Sequence, residues 1–306
     1  MAILVPASSL KPATRLDGVA PIGIRGATGR PRHRTRPDRG GMIGLALVGT
    51  LVIAAFIGPW LVAPDPETQR LSDRLVPPMW AGGSAAHPLG TDGLGRDLLS
   101  RVVAAAKISL LIGVSATLLA GMIGVSLGLL AGALGGAVDR LIAWLTDVQL
   151  AVPFVIVAIA VTATLGNSLG NVILVLAVTG WVGYARIVRL QARTLRRAPF
   201  VEAARALGAN PARILFRHLL PNLTVPVLTV AGQQVAAMIL YEAALSYLGL
   251  GVPRETMTWG GMIAAGQETL ATAWWVAAVP GICLALTILG FNLVADWLAR
   301  VSARSQ

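Results

Sequence analysis

The chain has 306 residues, of which 55% are hydrophobic and 13% charged, with a formal net charge of +11. That balance excludes a soluble domain, where about 25% of residues are charged, and it excludes disorder of the whole chain, which needs low hydrophobicity. It describes an integral membrane protein, in which basic residues record orientation more often than nucleic-acid binding.

Residues 1–40 hold eight Lys or Arg against Asp17 and Asp38, with many Pro and Gly and no sustained periodicity. They lack the apolar core of a secretory signal. They read as a disordered basic tail whose plain role is topology and contact with anionic lipid. No aromatic residue interleaves the arginines, so nucleic acid is not an expected partner.

Six apolar runs are long enough to cross the hydrocarbon core. They cover 41–62, 108–134, 141–165, 171–188, 223–248 and 274–298. The third carries Asp147 and Pro153, and the fourth continues past Arg186 and Arg189. The fifth carries Gln233, Gln234 and Glu242, and the sixth carries Pro280. The runs are continuous rather than alternating, which excludes a β-barrel. The fold class is therefore all-α: a polytopic bundle of six transmembrane helices.

Six spans put both termini on one side. The tail, the 135–140 turn, 186–222 and the C-terminus hold 19 basic residues, against six in 63–107, 166–170 and 249–273. The positive-inside rule places the larger set in the cytoplasm. The division is a tail (1–40), a first span (41–62), an extracytoplasmic segment (63–107), a five-helix core with a cytoplasmic loop at 190–222 (108–298), and a C-terminal tail (299–306). Trp60, Trp274 and Trp275 then fall at the outer interface and Trp297 at the inner one.

Gly124, Gly128, Gly132 and Gly136 recur every four residues along the second span. They form a stripe where another backbone approaches closely, either inside the bundle or from a second subunit.

The loop RRAPFVEAARALGANPARILFRHLLPN (196–222) is too polar to span. Pro199 suits a first helical turn, and Gly208 suits a helix stop. Asn210-Pro211 is a cap followed by a first-turn proline, and Pro221 breaks the second helix. The result is a basic helix–turn–helix in which Phe200, Val201, Ala204 and Leu207 can share one apolar face. It either lies on anionic lipid or docks into a groove on a soluble partner.

Glu202-Ala203-Ala204, Gly208 and HLLP (218–221) resemble the "EAA loop" of bacterial ABC importer permeases, with His218 where the general pattern has Ile. HPLGTDGLGRDLLSR (87–101) and LSYLGLGVP (245–253) followed by Trp259-Gly260 resemble the dipeptide/oligopeptide/nickel branch, and within it the second, "C-type" permease. The resemblance covers residues 41–300. It implies a homologous second permease, two ATP-binding subunits and an extracytoplasmic solute-binding protein, in a bacterial inner membrane. It also implies a coupling role for the loop, carried by Phe200, Val201, Glu202, Ala203, Ala204, Arg205, Leu207, Gly208 and Pro221. The physical logic of these residues is separate. Alanines let a helix seat closely, Gly208 permits the turn, and Glu202 suits a helix N-terminus and a partner Arg.

No phosphate-binding G-x-x-x-x-G-K-[ST] sequence is present, nor H-E-x-x-H or G-x-S-x-G, so catalysis is not expected here. ATP and Mg²⁺ belong to the partner subunits on this reading. Cys283 stands alone and the three histidines lack metal-ligand spacing, so no metal and no cofactor is expected. Gln233, Gln234 and Glu242 are candidates for the translocation path, because polar groups at membrane depth face a bundle interior or a water-filled route. The substrate expected from the resemblance is a di- or oligopeptide. A nickel chelate, glutathione or another small solute is the alternative within the family, and an ion-gradient-driven secondary transporter is the alternative from another class.

Overall fold

A computed structural model describes residues 39–62, 65–253 and 255–305, with side chains described as far as 301. Of the predicted basic tail, only Arg39 and Gly40 fall within the described residues. The helices are α1 (Arg39–Leu61), α2 (Leu98–Leu134), α3 (Gly136–Ala151), α4 (Phe154–Leu165) and α5 (Leu169–Arg196), then α6 (Pro199–Ala206) and α7 (Pro211–Arg213). A wide-turned π segment, Ile214–Leu219, leads through α8 (Leu220–Asn222) into α9 (Thr224–Tyr247), followed by α10 (Trp259–Gly266) and α11 (Trp275–Ser305). Among the described residues there is no strand, only an isolated bridge between Thr91 and Asp97.

Five helices, α1, α2, α5, α9 and α11, are long and apolar enough to cross a membrane. The span expected at 141–165 is not one rod. It is α3 and α4, bent by 82°. The cause is Pro153, which lacks an N–H and pushes Val152 out of the helical region, to φ −97° and ψ 117°.

The second span also differs from expectation. The apolar run begins at Ile108, but α2 begins at Leu98 and carries Arg101 and Lys107 within the helix. Asp97 caps it: its Oδ2 accepts from Ser100 N at 2.9 Å. The predicted boundary at 107/108 therefore falls inside a helix. At 1.5 Å per residue, α2 is about 55 Å long.

Glycines let the helices close together. On α2, a Cβ at Gly124 would lie 2.3 Å from Trp181 O, and one at Gly128 would lie 2.6 Å from Ala185 O. One at Gly132 would lie 2.5 Å from Ala192 Cβ. All three face α5 of the same chain. Gly136 does not belong to the stripe: it has φ +59°, opens α3 after the turn, and has nothing near it. On the other flank, Gly41 and Gly44 of α1 receive Trp297 and Leu293 of α11.

Candidate functional site

The loop at 196–222 is built as its local signals dictate, with one exception. Pro199 occupies the first turn of α6, and Leu207 ends it. Gly208 follows at φ +83°, and Ala209 N donates to Ala204 O at 3.0 Å, closing the helix end. Asn210 Oδ1 then accepts from Arg213 N at 2.7 Å, starting the next helical segment. The exception is Pro221, which does not break the chain's helical course. Widened turns precede it, with Leu220 N donating to Leu215 O, and the helical path resumes into α9. The wide turn relieves the clash a proline ring would make with the carbonyl four residues back.

The expected apolar face of α6 divides. Val201 is fully buried with Leu129, Val188, Ala192, Ile214 and Leu219. Leu207 is 89% exposed and Phe200 43% exposed, so they point away from that cluster, with Ala204 half-buried between. Phe216, which the sequence reading passed over, joins them at 64%. Glu202, Ala203, Arg205 and Gly208 are exposed as well. One buried valine thus anchors a projecting element that presents apolar side chains outward.

Arginines of α5 fix the base of this projection. Arg189 grips Asp139 of α3 with two nitrogens, Nη2 to Oδ2 at 2.9 Å, and Arg193 stands 3.7 Å from the same carboxylate. Arg186 meets Asp147 at 3.0 Å. Asp147 is therefore served by Arg186 rather than by Arg140, its nearer neighbour in sequence. Arg196 Nη1 donates to Leu134 O, the last residue of α2, at 3.2 Å.

Of the three path candidates on α9, Gln233, Gln234 and Glu242, only Gln233 is exposed. Gln234 turns inward, and its Nε2 donates to Gly180 O of α5 at 2.7 Å. Glu242 is fully buried. Its Oε1 accepts from Ser246 Oγ at 2.7 Å. Its Oε2 has no hydrogen-bond partner among the described residues. Gln234 is thus half-buried against α5, and Glu242 is enclosed beside Ser246.

At the Leu98 end of α2, the other two motif segments converge. His87 Nδ1 meets Asp97 Oδ1 at 3.0 Å, and Asp97 Oδ2 accepts from the N–H and hydroxyl of Ser100. Asp92 accepts from Leu94 N and Arg96 N through Oδ1, and from Arg96 Nε at 2.7 Å through Oδ2. Gly95 has φ +71°, and a Cβ there would strike Arg70 O. Trp259 is buried, with its N–H donating to Ser109 Oγ and its Nε1 to Val102 O at 3.0 Å. Trp275 is buried too, and its Nε1 donates to Thr91 O at 3.2 Å. It is a core residue and not the interfacial anchor expected, whereas Trp60 and Trp274 are exposed. Spacing gave no sign of the His87–Asp97 pair. The residue types were visible, but their pairing needs the turn at Gly90 and Gly95.

A long helical bundle, with a projecting basic loop at one end and a buried polar knot at the other, defines a polytopic helical membrane protein. Its sequence relatives narrow this. Residues 124–306 match the family described as "Binding-protein-dependent transport system inner membrane component". Residues 32–78 match the "N-terminal TM domain of oligopeptide transport permease C". The chain is 38% identical to the di/tripeptide transport system permease protein DppC of Pseudomonas aeruginosa, over 85% of this chain and 86% of that one. It is also 38% identical to the dipeptide transport system permease protein DppC of Escherichia coli K12, over 87% of this chain and 89% of that one. A solved inward-facing structure of the MetNI methionine ABC transporter shares the fold, with a TM-score of 0.54 and 19% identity over 66% of this chain and 96% of that one. The chain therefore belongs to the binding-protein-dependent transport system inner membrane components, the permease subunits of ABC importers.

Proposed function

We propose that this permease forms half of the membrane pathway of an importer for short peptides. It pairs with a homologous permease, two ATP-binding subunits on the cytoplasmic side and an extracytoplasmic solute-binding protein. Both termini and the α6 loop face the cytoplasm. The peptide reading is carried by the relatives' similarity over most of the chain, which extends to the probable D,D-dipeptide permease DdpC of Escherichia coli K12 at 37% identity. The orientation is supported by the excess of basic residues on the α6 side.

The docking role of α6 is supported by its exposure. Leu207, Phe200 and Phe216 stand on a projection rich in arginine, where a groove on a soluble subunit would cover them. Glu202 supplies a carboxylate for a partner arginine. ATP and Mg²⁺ bind in those partners, and their closure on ATP pushes α6 and switches the bundle's access. Gln233 is the candidate for the path or for the second permease, because an exposed amide does not face lipid without cost.

The test is a pull-down of the tagged chain from native membranes, comparing wild type with Gly208→Pro. Proline cannot adopt φ +83°, so the turn after α6 is lost. The expected outcome is a second permease and ATP-binding subunits with wild type, and loss of the ATP-binding subunits alone with the variant. Recovery of wild type as a lone chain or a homo-oligomer would overturn the importer assembly. The loop would then be read as a lipid-surface helix.

A further inference from the structure

At the end of the bundle away from α6, the loop before α2, the turn between α4 and α5, and the α9–α10 connection close around a cavity of about 610 Å³. Cavities of about 300–1,000 Å³ hold small organic ligands. Its lining carries three charged residues, Arg96, Arg101 and Glu268.

The two arginines share one carboxylate. Arg96 Nε donates to Asp92 Oδ2 at 2.7 Å, and Arg101 Nε stands 3.4 Å from the same oxygen. The other oxygen of Asp92 is taken by two backbone N–H groups. Asp92 serves both cations, and Glu67 acts on Arg101 as a second carboxylate, so Arg96 is the guanidinium left with donors to spare. Among the described residues, the terminal nitrogens of Arg96 have no acceptor, and those of Arg101 have only Pro66 O at 3.3 Å. Both side chains are largely withdrawn from water, at 22% and 11% exposure. Guanidinium donors in such a place are costly unless an anion supplies acceptors, and a planar carboxylate matches their fork. Glu268, on the exposed rim, offers the opposite charge. The lining is thus complementary to a zwitterion.

We propose that this cavity is a solute subsite on the outer side, where Arg96 and Arg101 take the terminal carboxylate of a short peptide. Glu268 receives the ammonium of the same molecule. The subsite rests on the peptide-importer reading above. It adds a selection step in the permease, after release from the binding protein, that distinguishes a free carboxylate from a neutral terminus.

The experiment uses the complete complex in liposomes, with both permeases, the ATP-binding subunits and the binding protein. The probes are alanyl-alanine and its C-terminal carboxamide, each at a concentration that saturates the binding protein, with loading checked by calorimetry. Arg96→Gln is expected to lower uptake of the free acid about tenfold, the scale of a lost charge-assisted hydrogen bond, and uptake of the amide less than about twofold. Arg96→Lys should recover part of the loss. Ala265→Trp fills the cavity from its exposed rim without touching Asp92, and should lower uptake of both probes.

Equal losses for acid and amide in Arg96→Gln would overturn the subsite, as would unchanged uptake in Ala265→Trp. A rise in the binding protein needed to stimulate ATP hydrolysis, the same with either probe, would also overturn it. That result would assign the arginines to a carboxylate on the binding protein. If Arg96→Gln fails to assemble, Ala265→Trp carries the test alone. Failure of the wild-type complex to take up either probe would sink the peptide reading itself.

Discussion

At the Leu98 end of α2, buried carboxylates are each met by several donors; at the Leu134 end, apolar surface is exposed and charge is spread over it. The first end holds His87, Asp92, Asp97 and Arg101 within a few ångströms, with each carboxylate accepting several hydrogen bonds. The second holds Leu207, Phe200 and Phe216 in the open, anchored by Val201 alone among the α6 side chains. The difference is between an end braced by its own polar contacts and an end whose apolar side chains have no cover among the described residues.

That comparison can be broken. The largest effect is expected at the polar knot. Asp97→Ala removes the α2 cap and leaves His87 and Ser100 without their acceptor, at a cost of about 3 kcal/mol. Thermal unfolding in detergent, or the amount of folded protein in membranes, should fall sharply. An unchanged unfolding temperature would mean that the knot does not hold that end together.

Next comes the bundle between the two ends. Gly128→Leu forces a side chain against Ala185 O and should cost about 2–3 kcal/mol by overpacking, again read by thermal unfolding. Val201→Ala is smaller, at about 2 kcal/mol or less, because it removes two buried methyl groups. Its signature should be local, as faster proteolysis within 196–222 while the rest of the chain stays protected.

The smallest structural effect belongs to Leu207→Ser, which removes an exposed side chain and should leave unfolding where it was. The same variant should nevertheless lose the ATP-binding subunits in the pull-down. If it loses stability and keeps those partners, the contrast between the two ends has been drawn the wrong way round.

Much of this was legible from residue types. Apolar runs marked the spans, and Gly208 with Asn210-Pro211 marked the turn in the 196–222 loop, whereas Pro153 was visible but its run read as one span. These are local signals, set by missing N–H groups, positive φ and side-chain caps. What escaped was decided by distant neighbours. Arg101 and Lys107 read as part of the segment before the second span, yet α2 starts at the Asp97 cap and runs through both, with Asp92 beside Arg101. Val201 and Leu207 looked alike on α6, and only the packing of Leu129 and Val188 separates inside from outside. Gln233 and Gln234 were indistinguishable until Gly180 claimed one of them. Trp275 resembled a membrane anchor until Thr91 reached its indole.

The glycine stripe on α2 carries a mechanical consequence. With three glycines in contact with α5, the two helices touch along their backbones and leave no soft side-chain layer between them. A pair joined this way resists shear and behaves as one stiff strut. Its lower part shares the Val201 cluster, and its far end carries the Asp97 cap and the tryptophan contacts. On a strut of about 55 Å, a tilt of roughly 5° carries the opposite tip through about 5 Å, nearly the diameter of a small side chain. Gearing of that kind would turn a small tilt at the α6 end into a displacement of the cavity walls at the Leu98 end.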